Sequence, residues 1–386
     1  MTTITKSKKR VTRSVTQDNP IVYAGDDNGN NTHVLVYREG IEGDTKVFTG
    51  ESWIHEHLGS MSDLNPVSNS KGLTFTYIKG KSEFEGRTFL CGRAAQSVKG
   101  SGKATLIGDD PEHKVNYGLP MLLFALASQI DRSFIDAVVF SNTHKQLLNP
   151  ILKESLQGQH EIEVLTRDNQ NHLLRASVTL SIRAGVVKEG LGGLWEMSGA
   201  GAEGNYLINF EDLNLVCDGG GGTFDVLAVE NGDFIDSDSV SIGGNDIVNS
   251  LLSSENFQGL FPPSIEVDRS LVETAIKEGT WTYSKGKVCV NFNKVGKTQI
   301  EEFLPLWERA LNKVSKGRHI EKTALIGGLF QTRYVGDADG KDAWSLSEMF
   351  QDRFINHDFV SPENPQITNA KGLLEIALGQ AETVGK

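Results

Sequence analysis

Two stretches of this chain repeat one pattern. "DNGNNTHVLV" from Asp27 and "DGGGGTFDVL" from Asp218 share Asp at the first place, Gly at the third and Thr at the sixth, each set between apolar, β-prone runs. The copies stand about half the chain length apart, which suggests two homologous halves that each offer a hairpin to a shared cleft.

A glycine-rich turn lets the backbone take φ > 0 and aim several N–H groups at one anion with no Cβ in the way. A tight hairpin needs only two loop residues, and these turns are longer. They read as phosphate cradles: Asn28, Gly29, Asn30, Asn31 and Thr32 in the first, Gly219, Gly220, Gly221, Gly222 and Thr223 in the second. An aspartate leaves each apolar strand at its turn. Carboxylates so placed suit Mg2+, which keeps most of its waters and is held by one or two acids plus phosphate oxygens. Asp27 and Asp218 are therefore candidates to hold a metal through water. A P-loop is excluded, because the Gly-Lys-Thr at 296 to 298 has Asn291 where the first glycine must stand. Gly327 and Gly328, after "TALI", offer a third flat backbone surface suited to a purine or ribose.

With 386 residues the chain can build one large two-lobed domain or two ordinary ones. Its 38% apolar and 23% charged content is that of a soluble globular protein, and no apolar run approaches bilayer length, so a cytoplasmic protein is expected. Cys91, Cys217 and Cys289 have neither metal-ligand spacing nor a disulfide pattern, and read as reduced thiols. The net charge of −12 argues against direct DNA contact by the body. Residues 1–20 are basic and lack a signal peptide's apolar region; they read as a disordered tail, with a DNA- or partner-binding arm as the other reading.

Along the chain, "IVYAGDDNGNNTHVLVY" predicts a hairpin, 41–106 an irregular α+β insert, 115–130 a buried helix whose start Pro120 can set, and "FIDAVVFSN" a central strand. "HEIEVLTRDNQNHLLRASVTLSI" predicts two strands around a turn, completing a first lobe over 21–186. A second lobe over 187–365, with 251–297 as its smaller insert, opens on "RAGVVKEGLGGLWEM". In it Gly243 and Gly244 turn the chain, Asn245 can cap a short helix, and 298–317 carries a helical apolar stripe despite Pro305. A last helix, 366–386, completes the first lobe.

These motifs resemble those of the actin, heat-shock chaperone and sugar-kinase ATPase superfamily. "DGGGGTFDV" fits its second phosphate motif at every specified place, "DNGNN" its first, "LIGGL" from 325 its adenosine motif, and "VVKEGLGGL" from 186 its first connecting segment. "NAKGLLEIALG" from Asn369 resembles the closing helix of bacterial members, so the likeness runs from residue 21 to the end. Within the superfamily the chain looks most like ParM-type plasmid-segregating actins. The resemblance implies an α/β fold of two similar, ribonuclease H-like lobes around a nucleotide cleft, with ATP or GTP and Mg2+ as cofactors. It places the water-positioning role on Glu189 and adds Gly243, Gly244, Leu329, Glu308 and Lys313 to the nucleotide-binding set. It also implies a self-assembling filament that moves DNA through a DNA-binding adaptor, without a membrane.

Two places depart from the family pattern. A lysine usually follows the first aspartate by seven residues; here that place is Val34, preceded by His33, so His33 or another cation substitutes, or backbone alone holds the phosphate. Leu329 stands where a third glycine or small residue is common, and either reshapes the purine pocket or packs beneath it. Two rival functions carry over from the same residues: a monomeric small-molecule kinase, and a nucleotide-gated scaffold with negligible hydrolysis.

Overall fold

A computed structural model describes residues 19–29, 32–96, 105–106, 111–143, 145–199, 207–336 and 342–384. The basic tail up to residue 18, Asn30 and Asn31 lie outside the described residues.

The repeat read from two hairpins extends to whole sheets. Val22–Asn28 pairs antiparallel with Thr32–Glu39, which pairs antiparallel with Lys46–Glu51; on its other side Val22–Asn28 runs parallel to Phe134–Thr143, and that strand parallel to Leu173–Lys188. The second sheet has the same order and directions. Asn214–Gly219, Phe224–Glu230 and Asp233–Val240 form its antiparallel part, and Thr323–Ile326 and Phe359–Val360 its parallel part. The central strands are apolar on both faces, as strands covered by helices on both sides must be.

Leu173–Lys188 is 16 residues long and outruns its parallel neighbour. Its free length pairs with Gly158–Arg167, which carries the sheet on through Gly72–Lys79, Thr88–Gly92 and Trp53–His57. Strands from the 41–106 region are thereby stitched to the first sheet.

Two local expectations are corrected. The helix predicted from 115 begins at Pro111 and runs to Gln129 straight through Pro120. A mid-helix proline costs about 3 kcal/mol, whereas Leu119, Met121, Leu122, Leu123, Phe124 and Leu126 are all fully buried, at about 1.5–3 kcal/mol each. Burial wins. Asn245 lies inside the helix Gly244–Ser253 rather than capping it; Gly243 is the cap, and its N–H is bonded to Asp246 Oδ2 at 2.8 Å. The Gly-Lys-Thr at 296 to 298 is within the helix Asn293–Ser315, where a Cβ on Gly296 would meet the Trp281 ring at 2.0 Å.

The closing helix, Pro365–Val384, covers the outer face of the first sheet with Ala370, Leu373, Leu374, Ala377 and Leu378 against Tyr23, Val34, Val36 and Phe140. It also crosses the short helix Leu191–Met197. Contact is backbone to backbone: a Cβ on Gly25 would stand 1.9 Å from the Ala370 carbonyl, and one on Gly372 1.7 Å from that of Gly192.

Candidate functional site

The two turns are built alike. Gly29 N–H donates to the Thr32 carbonyl at 3.1 Å, and Gly220 N–H to the Thr223 carbonyl at 2.9 Å, the same bond at aligned positions. Each turn is held from outside by a different device. Ser52 Oγ donates to the Gly29 carbonyl at 2.6 Å and to Asn28 Oδ1 at 3.3 Å, tying the first turn to the neighbouring strand. Gly244 and Asn245 donate their N–H groups to the carbonyls of Gly220 and Gly221 at 3.0 and 2.7 Å, so the start of that helix braces the second turn. Side chains are excluded there, since a Cβ on Gly243 would fall 2.6 Å from the Gly221 backbone. Gly243 and Gly244 thus stand behind the second turn.

A third turn abuts the second. Gly327 has φ +89°, and a Cβ on it would meet both Asp218 Oδ1 and the Gly219 carbonyl at 2.5 Å. Gly328 follows against Gln366, while Leu329 is buried in the second lobe's core beneath Gly219. Glu308 and Lys313 lie on the long helix; Lys313 bonds Asp238 at 2.5 Å and Glu308 faces Arg353 at 3.7 Å.

Asp27, Asn142 and Glu189 end three adjacent strands. Register pairs Asp26 with Ser141 and Thr143 with Lys188, and Glu189 N–H donates to the Thr143 carbonyl at 2.8 Å, so all three reach one edge. Asn142 Nδ2 donates to Asp27 Oδ1 at 3.0 Å. Into this edge comes Lys114, from the first turn of the helix Pro111–Gln129. Its Nζ donates to Glu189 Oε1 at 2.9 Å and to Asn142 Oδ1 at 3.4 Å, and its side chain is 6% exposed.

The electrostatics are dominated by buried acid. Burial raises the Asp27 carboxyl, Lys114 and Asn142 oppose the rise, and Glu189 adds to it. Asn369 approaches from the closing helix without completing a hydrogen bond, while its Oδ1 accepts the Gly193 N–H at 3.1 Å. Asp218 is pushed well above the usual carboxylate range by burial, then by Glu189, Asp27 and Asp225, with Lys114 as its opposing cation. Burial and Glu189 push Asp225 to about 6, against hydroxyls of Ser239 and Thr223. Burial would lower Lys114, but Glu189 and Asp27 hold it raised, so it stays charged.

His33 supplies no cation to this cleft. Its Nε2 lies 2.5 Å from Asp26 Oδ1, Ser141 Oγ donates to Asp26 Oδ2 at 2.9 Å, and the imidazole packs edge-on against Phe48 in the core. Alternation along the strand explains this: Asp27 points to the cleft, so Asp26 points into the sheet's covered face. Val34 is buried under the closing helix.

The donor set fits a polyphosphate with a hard cation. Asp218 Oδ2 and Asp225 Oδ1 are buried acceptors without a hydrogen bond, and Asn28 Nδ2 is a buried donor without one; such orphans are costly unless something else completes them. Among the described residues no three His, Cys, Asp or Glu side chains stand close enough to enclose a metal. A cation here would complete its shell with water and phosphate oxygens.

Asn142, Lys114 and Asp225 were not singled out from sequence. Asp225 is the last aspartate of the "DGGGGTFDV" motif, and Asn142 is a polar residue at the end of an apolar strand; both had a visible signal. Lys114 had none.

Two matched sheets, each presenting its hairpin to a common acidic cleft, define the actin-like fold. The chain is similar over nearly its whole length to solved actin-like proteins. The crystal structure of Ta0583, an archaeal actin homologue, matches 94% of this chain and 99% of its own at TM-score 0.67 and 16% identity. Bacillus thuringiensis ParM with ATP matches 94% of this chain and 99% of its own at TM-score 0.63 and 17% identity. The Alp12 filament structure matches 95% and 100% at TM-score 0.56 and 14% identity. No protein-family model matches the chain, and no curated protein does. Among the described residues no helix is long and apolar enough to cross a membrane.

Proposed function

We propose that this protein is an actin-like ATPase that binds Mg·ATP, or Mg·GTP, between its two hairpins and assembles into a nucleotide-dependent filament. The observation that carries the reading is the convergence of both strand-end aspartates on one buried cluster, each beside a turn with the same internal hydrogen bond. Similarity to ParM crystallised with ATP and to a filament of Alp12 supports it.

In this reading the turns at 28–32 and 219–223 give backbone N–H groups to the phosphates, and the 327–329 turn borders the nucleoside. Asp27 and Asp218 would hold Mg2+ through water, and the ion, when bound, neutralises phosphate charge that the acidic cleft cannot. Glu189 orients a water in line with the γ-phosphorus. The water oxygen forms the new bond to phosphorus, the bond from phosphorus to the β,γ-bridging oxygen breaks, and the proton lost by water ends on the phosphate product. Loss of the γ-phosphate removes contacts that bridge the turns, so the lobes shift and the filament weakens. Head-to-tail contacts between copies would not close, which is how one pair of surfaces makes a polymer. DNA segregation through an adaptor is the cellular role we assign to such a filament.

Light scattering and phosphate release, followed together with Mg·ATP and with a non-hydrolysable analogue, test this. Assembly with both, and decay only with ATP, is expected. No assembly with either at any protein concentration overturns the filament; a phosphorylated small molecule in place of free phosphate would make it a kinase.

A further inference from the structure

The first hairpin offers no cation to its own turn. Val34 is buried under the closing helix, and His33 is buried on the opposite face, spent on Asp26. The cleft nevertheless contains a lysine, delivered from a different element.

We propose that Lys114 is the residue that contacts the terminal phosphate in this chain, and that before nucleotide arrives it is parked on Glu189. The assignment rests on the nucleotide-binding reading above and names a residue that reading does not require.

The geometry supports it in three ways. First, Lys114 Nζ sits at the edge shared by Asp27, Asn142 and Glu189, the place that a γ-phosphate between the two turns must approach. Second, an ammonium has three donors; Glu189 and Asn142 take two, which leaves one to meet an incoming phosphate oxygen before the Glu189 bond is given up. Third, Lys114 feels Asp27, Glu189 and Asp218, acids from both lobes, so it is a cation common to the two jaws.

Parking has a chemical consequence. A glutamate bonded to an ammonium is a poor acceptor for a water proton. When phosphate oxygens draw Nζ away, Glu189 is left to accept the water's hydrogen bond, so the group that arms the glutamate is the substrate's own third phosphate. Diphosphate, lacking that oxygen cluster, leaves the pair closed.

The experiment measures binding of fluorescent Mg·ATP and Mg·ADP analogues, with phosphate release, for the parent protein, Lys114→Met, Lys114→Arg and the double variant Lys114→Met/Glu189→Gln. The double variant removes both members of the ion pair, so Glu189 is not stranded by the loss of Lys114, and a cooperative thermal transition like the parent's reports that it folds. Loss of one charge-assisted contact should weaken triphosphate binding about 30-fold, with diphosphate changed less than about threefold. Lys114→Arg should recover part of the triphosphate preference. If the parent binds ATP and the double variant keeps the parental ATP-to-ADP ratio, the assignment of Lys114 fails and the proposed function stands. A parent that binds neither nucleotide overturns both.

Discussion

Asp218 and Asp225 are register partners across the second hairpin, two buried carboxylates on one face of an antiparallel pair. Like charges directly opposite destabilise a sheet, and here the cost is kept in a place where a cation-bearing ligand can relieve it.

Burial of Asp225, reinforced by Glu189, sets a pH dependence. Asp225 titrates at about 6 in the folded chain, above the ordinary 3.8, so the folded state holds the extra proton between those values and stability falls as pH rises from about 4 to about 6. Asp225→Asn removes the penalty. Urea unfolding of nucleotide-free protein should show the variant near the parent at pH 4 and exceeding it above pH 6.5 by about 3 kcal/mol. A gap that does not vary with pH would refute the account.

Asp218 carries the same tension further, because its Oδ2 has no partner at all. Asp218→Asn should raise the melting midpoint of nucleotide-free protein at pH 7.5, yet abolish the added stabilisation that Mg·ATP gives the parent. A variant still stabilised by Mg·ATP as strongly as the parent would remove Asp218 from the metal site.

Glu189→Gln keeps the size and the Lys114 hydrogen bond while discarding the charge. Assembly with ATP should persist, and phosphate release should slow by about 100-fold, the lower range for losing a positioned proton acceptor. Release at the parental rate would mean that another group positions the water.

Much of this was legible in the sequence because it is local. The two hairpins, their aspartates and their glycines need only neighbours a few residues away, and the structure places the same backbone hydrogen bond in both. The Glu189 position was readable only through resemblance. The place of Lys114 in the cleft was not readable, because it depends on where a helix start lands relative to strands ending at 28, 143 and 188, a relation no short window contains. His33 misled for the opposite reason: a cation beside a phosphate turn is suggestive, but strand alternation decides which face it serves.

The closing helix offers a matched pair of substitutions. Gly372→Ala drives a methyl into the Gly192 carbonyl, whereas a Cβ on Gly379, seven residues on, meets nothing within 4 Å. Gly379→Ala should raise the melting midpoint slightly, by up to about 1 kcal/mol of helix propensity, and Gly372→Ala should lower stability by about 3 kcal/mol. Equal effects at both sites would show that the crossing tolerates separation.

That helix also imposes an order on biosynthesis. The face of the first sheet bearing Tyr23, Val34, Val36 and Phe140 is, among the described residues, covered by Ala370, Leu373, Leu374, Ala377 and Leu378 of Pro365–Val384. At ribosomal speeds of about 5–20 residues per second, those side chains wait tens of seconds, wet and adhesive, for their lid to be translated. In a nascent chain of this architecture the first-made half is therefore the last to be finished.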